Sequence, residues 1–142
     1  MSDDSRKDAF QFWLMDMDDA IDRFVQSAPA DVRSSLDLTG ASLDAIEALV
    51  LARYKTPADT RSAQEAAFLD GAARYVGEVL RVATGSKWSI RFDDPKFVFH
   101  GLPILTGGTL TVPCCPLTTV TASTDRRTGR YFSLLLGNAT RQ

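Results

Sequence analysis

The chain has 142 residues and a mass of 15.5 kDa, and 44% of it is hydrophobic and 24% charged. That size and balance suit one self-sufficient domain and exclude a disordered or fibrous chain. Sixteen basic and 18 acidic residues leave a net charge of -2, short of the basic excess that general nucleic-acid binding needs, so no nucleic-acid partner is expected.

The chain opens Met1-Ser2-Asp3-Asp4-Ser5, acidic and polar where a secretory signal is basic and then apolar. No apolar run is long enough for a membrane span, so no membrane partner is expected. Cys114 and Cys115 are adjacent, a spacing that strains a mutual disulfide. A cytoplasmic protein without a disulfide staple is the simplest reading.

Residues 5–27 read as one amphipathic helix, with Phe10, Trp13, Leu14, Met17, Ile21 and Phe24 on one stripe and Pro29 beyond its end. Phe12 and Met15 lie off that stripe among Asp8, Asp16, Asp19 and Asp22. Either a second element covers them, or they form a partner surface of apolar groups ringed by acids. Residues 30–41 read as a connector. Ser42 is placed to cap a second helix running to about Tyr54, with Asp44 in its first turn. The third helix is expected over 60–84, on a broad apolar arc that includes Leu69, Ala73, Val76 and Leu80. Gly77, costly inside a helix, implies the close approach of another element, and Gly85 suits the C-terminal cap.

Beyond residue 86 the pattern turns to short β-prone runs. Residues 87–92 alternate as a half-buried strand, Asp93-Asp94-Pro95-Lys96 reads as a turn, and 97–99 reads as a short strand. Residues 102–106 and 109–112 flank Gly107-Gly108 as a hairpin. Residues 117–121 and 131–136 satisfy either a hairpin, by their branched and apolar side chains, or two short helices with Pro116 in the first turn. No repeat or linker interrupts the chain, so a single domain over 1–142 is expected. The predicted class is α+β, three N-terminal helices packed on a small C-terminal, mostly antiparallel sheet.

Catalytic chemistry is sparse. His100 is the single histidine, and no Gly-x-Ser-x-Gly elbow accompanies it. It reads as a loop or edge residue, with Asp93, Asp94, Cys114 and Cys115 as its conceivable partners. Cys114, Cys115 and His100 fall short of a zinc ligand set. Asp16-x-Asp18-Asp19 has cation-loop spacing but falls inside a helical pattern. Glu78 reads as a surface partner of Arg74 and Arg81. No catalytic residue, metal site or cofactor is therefore expected.

Charge is segregated along the chain. Residues 1–22 hold seven aspartates against Arg6 and Lys7, whereas residues 123–142 hold four arginines against Asp125. The two ends either neutralise one another in the fold or steer partners of opposite charge.

One longer pattern adds to this. Ser42-Leu43-Asp44-x-x-Glu47-Ala48-x-x-Leu51-x-Arg53-Tyr54, the run Leu69 to Arg81, Trp88, Asp94-Pro95-Lys96 and Gly101-Leu102-Pro103 together resemble a family of small stand-alone bacterial domains of unassigned biochemistry. Over about residues 36–136 the chain loosely resembles the immunity proteins of polymorphic toxin systems. That resemblance implies a non-enzymatic domain that binds and neutralises a cognate toxin. It carries no catalytic signature, and it leaves the acidic N-terminal helix outside its span. The expected partner-binding residues come from that helix: Phe12, Met15, Asp8, Asp16, Asp19 and Asp22. The alternatives are a homo-oligomeric accessory protein, with the Phe12 face buried on its own copy, and a cysteine-dependent enzyme using Cys114 or Cys115 with His100.

Overall fold

The computed structural model describes residues 3–141; Met1, Ser2 and Gln142, which enter the amino-terminal and domain-boundary expectations, lie outside the described residues. The expected first helix is two helices, α1 (Asp3–Met15) and α2 (Met17–Ser27), that meet at Asp16. The break coincides with an intruding side chain. Arg74 Nη1 donates to the Trp13 carbonyl at 2.7 Å, the acceptor that an unbroken helix commits to the amide of residue 17. The Asp16 and Ala20 amides still donate to the Phe12 and Asp16 carbonyls, at 3.1 and 2.8 Å, so no loop separates the helices. Phe10, Met17, Ile21 and Phe24 are buried, as their spacing requires.

A single helical turn, α3 (Ala30–Arg33), interrupts the connector. α4 (Leu43–Arg53) ends where expected, but Ser42 does not cap it. Ser42 is buried, and its hydroxyl lies 2.6 Å from both the Thr39 carbonyl and the Tyr75 hydroxyl. The Tyr75 hydroxyl also accepts the Leu38 amide at 2.8 Å. α5 (Ala66–Thr84) starts later than residue 60, because residues 57–61 and 63–65 form 3-10 turns. It packs against α2, α4 and two C-terminal helices, α6 (Pro116–Arg126) and α7 (Tyr131–Thr140). Gly77 does serve a close approach: a Cβ there would overlap the Trp88 ring. Gly85, at φ +71°, ends α5 as expected.

The sheet is smaller than the sequence suggests. β1 (Lys87–Ser89) pairs antiparallel with β2 (Ile104–Thr106), Trp88 opposite Leu105. Residues 97–99 lie in turns and 109–112 form no strand. Leu105 instead exchanges backbone hydrogen bonds with Cys114, at 2.7 and 3.0 Å. The Gly107-Gly108 corner crosses the end of α5, where the Thr109 amide donates to the Thr84 carbonyl at 2.9 Å. The fold is α+β but mostly helical, and its C-terminal part contributes two helices as well as the sheet.

The choice of helix for residues 117–136 has a local and a tertiary cause. Pro116 occupies the first turn of α6, where its missing N–H costs nothing. Thr118, Thr119, Thr121, Ser123 and Thr124 each return their hydroxyl to a carbonyl three or four residues back. These bonds satisfy the buried hydroxyls as α6 packs between α4 and α5. Arg127, left-handed at φ +54°, ends α6 and donates to the Leu51 and Tyr54 carbonyls at the end of α4. Glu47, fully buried on α4, accepts the Phe132 amide at 2.8 Å and so caps the first turn of α7.

Candidate protein-docking face

Phe12 is 69% exposed and Met15 78% exposed. Among the described residues no second element covers them. At helical spacing Asp8, Phe12, Met15, Asp16, Asp19 and Asp22 fall within an arc of about 120° on α1 and α2, forming one strip about 22 Å long. Asp8, Asp19 and Asp22 are exposed and make no ion pair among the described residues, as is true of Asp4 and Asp18. Asp16 differs, because Arg23 Nη2 donates to its Oδ2 at 2.7 Å. That bond holds the Asp16 carboxyl below the usual carboxylate range.

Among the described residues no ion pair joins residues 3–22 to residues 123–141. Arg127 is committed to α4 carbonyls, and the Arg126 guanidinium lies 5.7 Å from the Tyr131 ring centre. Among the described residues, none of the C-terminal arginines is ion-paired to a carboxylate of the strip.

The strip is held by a network on its inner side. Trp13 donates Nε1–H to Asp70 Oδ1 at 2.8 Å, and Arg74 Nε donates to Asp70 Oδ2 at 2.7 Å. The Arg74 guanidinium also sits 4.2 Å from the centre of the Trp13 ring, a cation–π arrangement that a buried site strengthens. Trp13 meets Trp88 edge to face at 4.9 Å and stacks on Phe10 at 6.0 Å. Trp88 in turn donates to Glu78 Oε1 at 2.9 Å. Arg74 is thus a buried clamp on α1 and not the surface partner of Glu78 that spacing suggests. Glu78 does pair with Arg81, at 2.9 Å. Sequence reasoning missed Asp70 and Arg74 as anchors, although their own spacing of four offers the pairing that forms.

The cysteine and histidine candidates do not assemble. The Cys114 thiol has Thr119 Oγ1 as its polar neighbour, at 4.0 Å, and Cys115 is buried. His100 packs edge-on to Phe92, 6.2 Å between ring centres, in the loop between β1 and β2. Burial pushes the Cys114 thiol above its ordinary value, opposite to the direction that activates a nucleophile. Alkylation of Cys114 at neutral pH is expected to run about tenfold or more slower than that of a free thiol. Labelling as fast as glutathione's would restore the enzyme alternative. No cluster of three or more potential metal ligands occurs among the described residues. No helix among them is long and apolar enough to cross a membrane. Comparison with protein families, with curated proteins and with solved structures finds no match.

Proposed function

We propose that the chain is a non-enzymatic protein-binding domain, an immunity protein that binds and neutralises a cognate bacterial toxin. The supporting observation is the exposure of Phe12 and Met15 on a helix whose neighbouring carboxylates are largely unpaired. Apolar anchors beside charge are what a docking face offers: the anchors supply contact area and the carboxylates supply steering and register. Masking an active site needs complementarity of surface and no reacting group. The partner is a protein with a basic face. If it is a nuclease, the aspartates occupy the positions of substrate phosphates.

The same charge disfavours self-association here. A two-fold interface would set Asp8, Asp19 and Asp22 of one copy against those of its mate, so the free chain is expected to be monomeric. The test is purification of the tagged chain from its native host at physiological salt, followed by assay of the co-purifying protein. A stoichiometric basic partner is expected, its toxicity suppressed by the chain. Phe12→Ala together with Met15→Ala should weaken the complex at least about tenfold, since such anchors are worth upwards of about 1 kcal/mol each. Both side chains are exposed, so the fold should survive. Recovery of the chain alone, or as a dimer through this face, would contradict the proposal.

A further inference from the structure

A second feature is independent of the acidic strip. A cavity of about 460 Å³ opens where α1, the 3-10 turn at 57–61, α5, β1 and the start of α6 meet, a volume within the range of small-molecule sites, roughly 300–1,000 Å³. Its apolar walls include Trp13, Leu69, Ala73, Trp88, Pro103 and Leu117. Both indole N–H groups are already committed, to Asp70 and to Glu78. The rings therefore offer the cavity carbon surface and no free donor.

The polar groups at the cavity are few and unequal. Arg61 lines it, is exposed, and makes no ion pair among the described residues. Ser62 beside it accepts the Gln64 amide at 3.3 Å, while its own hydroxyl proton has no acceptor among the described residues. Thr60 is satisfied by donation to the Pro57 carbonyl at 2.7 Å. Asp70 is the one acid in the lining. Its two oxygens are occupied by Trp13 and Arg74, and the Arg74 charge offsets its own. What remains without a protein partner among the described residues is one cation and one hydroxyl donor beside an apolar wall.

From these neighbours we infer that the cavity is a binding site for a small apolar carboxylate, its hydrocarbon or ring body against the wall that Trp13, Leu69 and Trp88 share and its carboxylate on Arg61. A guanidinium recognises a carboxylate by paired N–H donors. The indole carbons and small walls such as Ala66 and Ala73 leave room for a flat or unbranched body.

The chain's two tryptophans both line the cavity, so intrinsic tryptophan fluorescence reports on this site. The experiment titrates the full chain with phenylbutyrate, phenylbutyramide and phenylbutylamine, which share a body and differ in charge. Phenylbutyrate is expected to change the emission saturably, with Kd below about 1 mM. The amide should bind at least about fivefold more weakly, and the amine more weakly still. Arg61→Gln should reduce phenylbutyrate to the affinity of the amide and leave the amide unchanged. Ala66→Leu, which narrows the cavity, should weaken both. Thermal melts check that each variant folds; Arg61 has no ion pair to lose, so Arg61→Gln decides the matter even if the leucine variant does not fold. No saturable response to phenylbutyrate, equal affinity for acid and amide, or an acid preference that survives Arg61→Gln would overturn the inference.

Discussion

Gly108→Ala is expected to lower the unfolding free energy by about 3 kcal/mol or more. Two costs combine. Gly108 sits at φ +59°, a left-handed conformation that costs an L-residue roughly 1–2 kcal/mol. A Cβ there would also overlap the Thr84 carbonyl, which is backbone and cannot rotate away. That carbonyl accepts the Thr109 amide and lies at the end of α5, so relief of the overlap would lift the loop from the helix that it closes. Gly107 supplies the control. It has φ +84° but meets nothing within 4 Å of a built Cβ, so Gly107→Ala should lose only the conformational part, about 1–2 kcal/mol. Urea titrations of both variants check the difference; equal losses would show that the overlap with α5 is relieved at no cost.

Arg74→Met is the second large effect, expected at about 3 kcal/mol. Methionine keeps much of the buried volume, so the loss isolates the guanidinium. Arg74 is 4% exposed and serves Asp70, the Trp13 carbonyl and the Trp13 ring at once. Bonds to a charged donor contribute about 1.5–3 kcal/mol each when their partner is left dry. Asp70, half-exposed, recovers water and softens the total. Arg74→Lys keeps the charge but not the fork, and should lose about half as much. Thermal or urea unfolding measures the stability, and the emission of the Trp13–Trp88 pair reports whether α1 has loosened. Partner affinity should fall with it, because α1 carries Phe12 and Met15. A variant with wild-type stability and emission would remove Arg74 as the clamp.

Elements whose pattern is local were legible in the sequence. The α5 stripe, its Gly85 end and the reason for Gly77 follow from helical spacing and from what glycine permits. That Phe12 and Met15 lie off the apolar stripe follows in the same way, but whether a second element covers them stays open at that level, because packing at long range decides it. Elements decided at long range were not legible. Arg74 reaches α1 from a helix far along the chain and divides what spacing presents as one helix. β2 pairs with β1 and, at a single bridge, with Cys114, but not with residues 109–112, because the Gly107-Gly108 corner is used against the end of α5. The threonine-rich run at 117–124 favours strand by branching, yet burial between α4 and α5 and the return of each hydroxyl to its own helix favour α6. The cavity lined by Trp13 and Trp88 belongs to this second group, as its walls come from six separate segments.

The account rests on the outer strip of α1 and α2 as the surface that meets the partner. Amide hydrogen exchange of the chain, free and bound to the protein that co-purifies with it, tests this most directly. Slowed exchange concentrated in residues 8–22, weakened by Phe12→Ala with Met15→Ala and by added salt, is the predicted result. Protection elsewhere, with residues 8–22 exchanging as they do in the free chain, would contradict it.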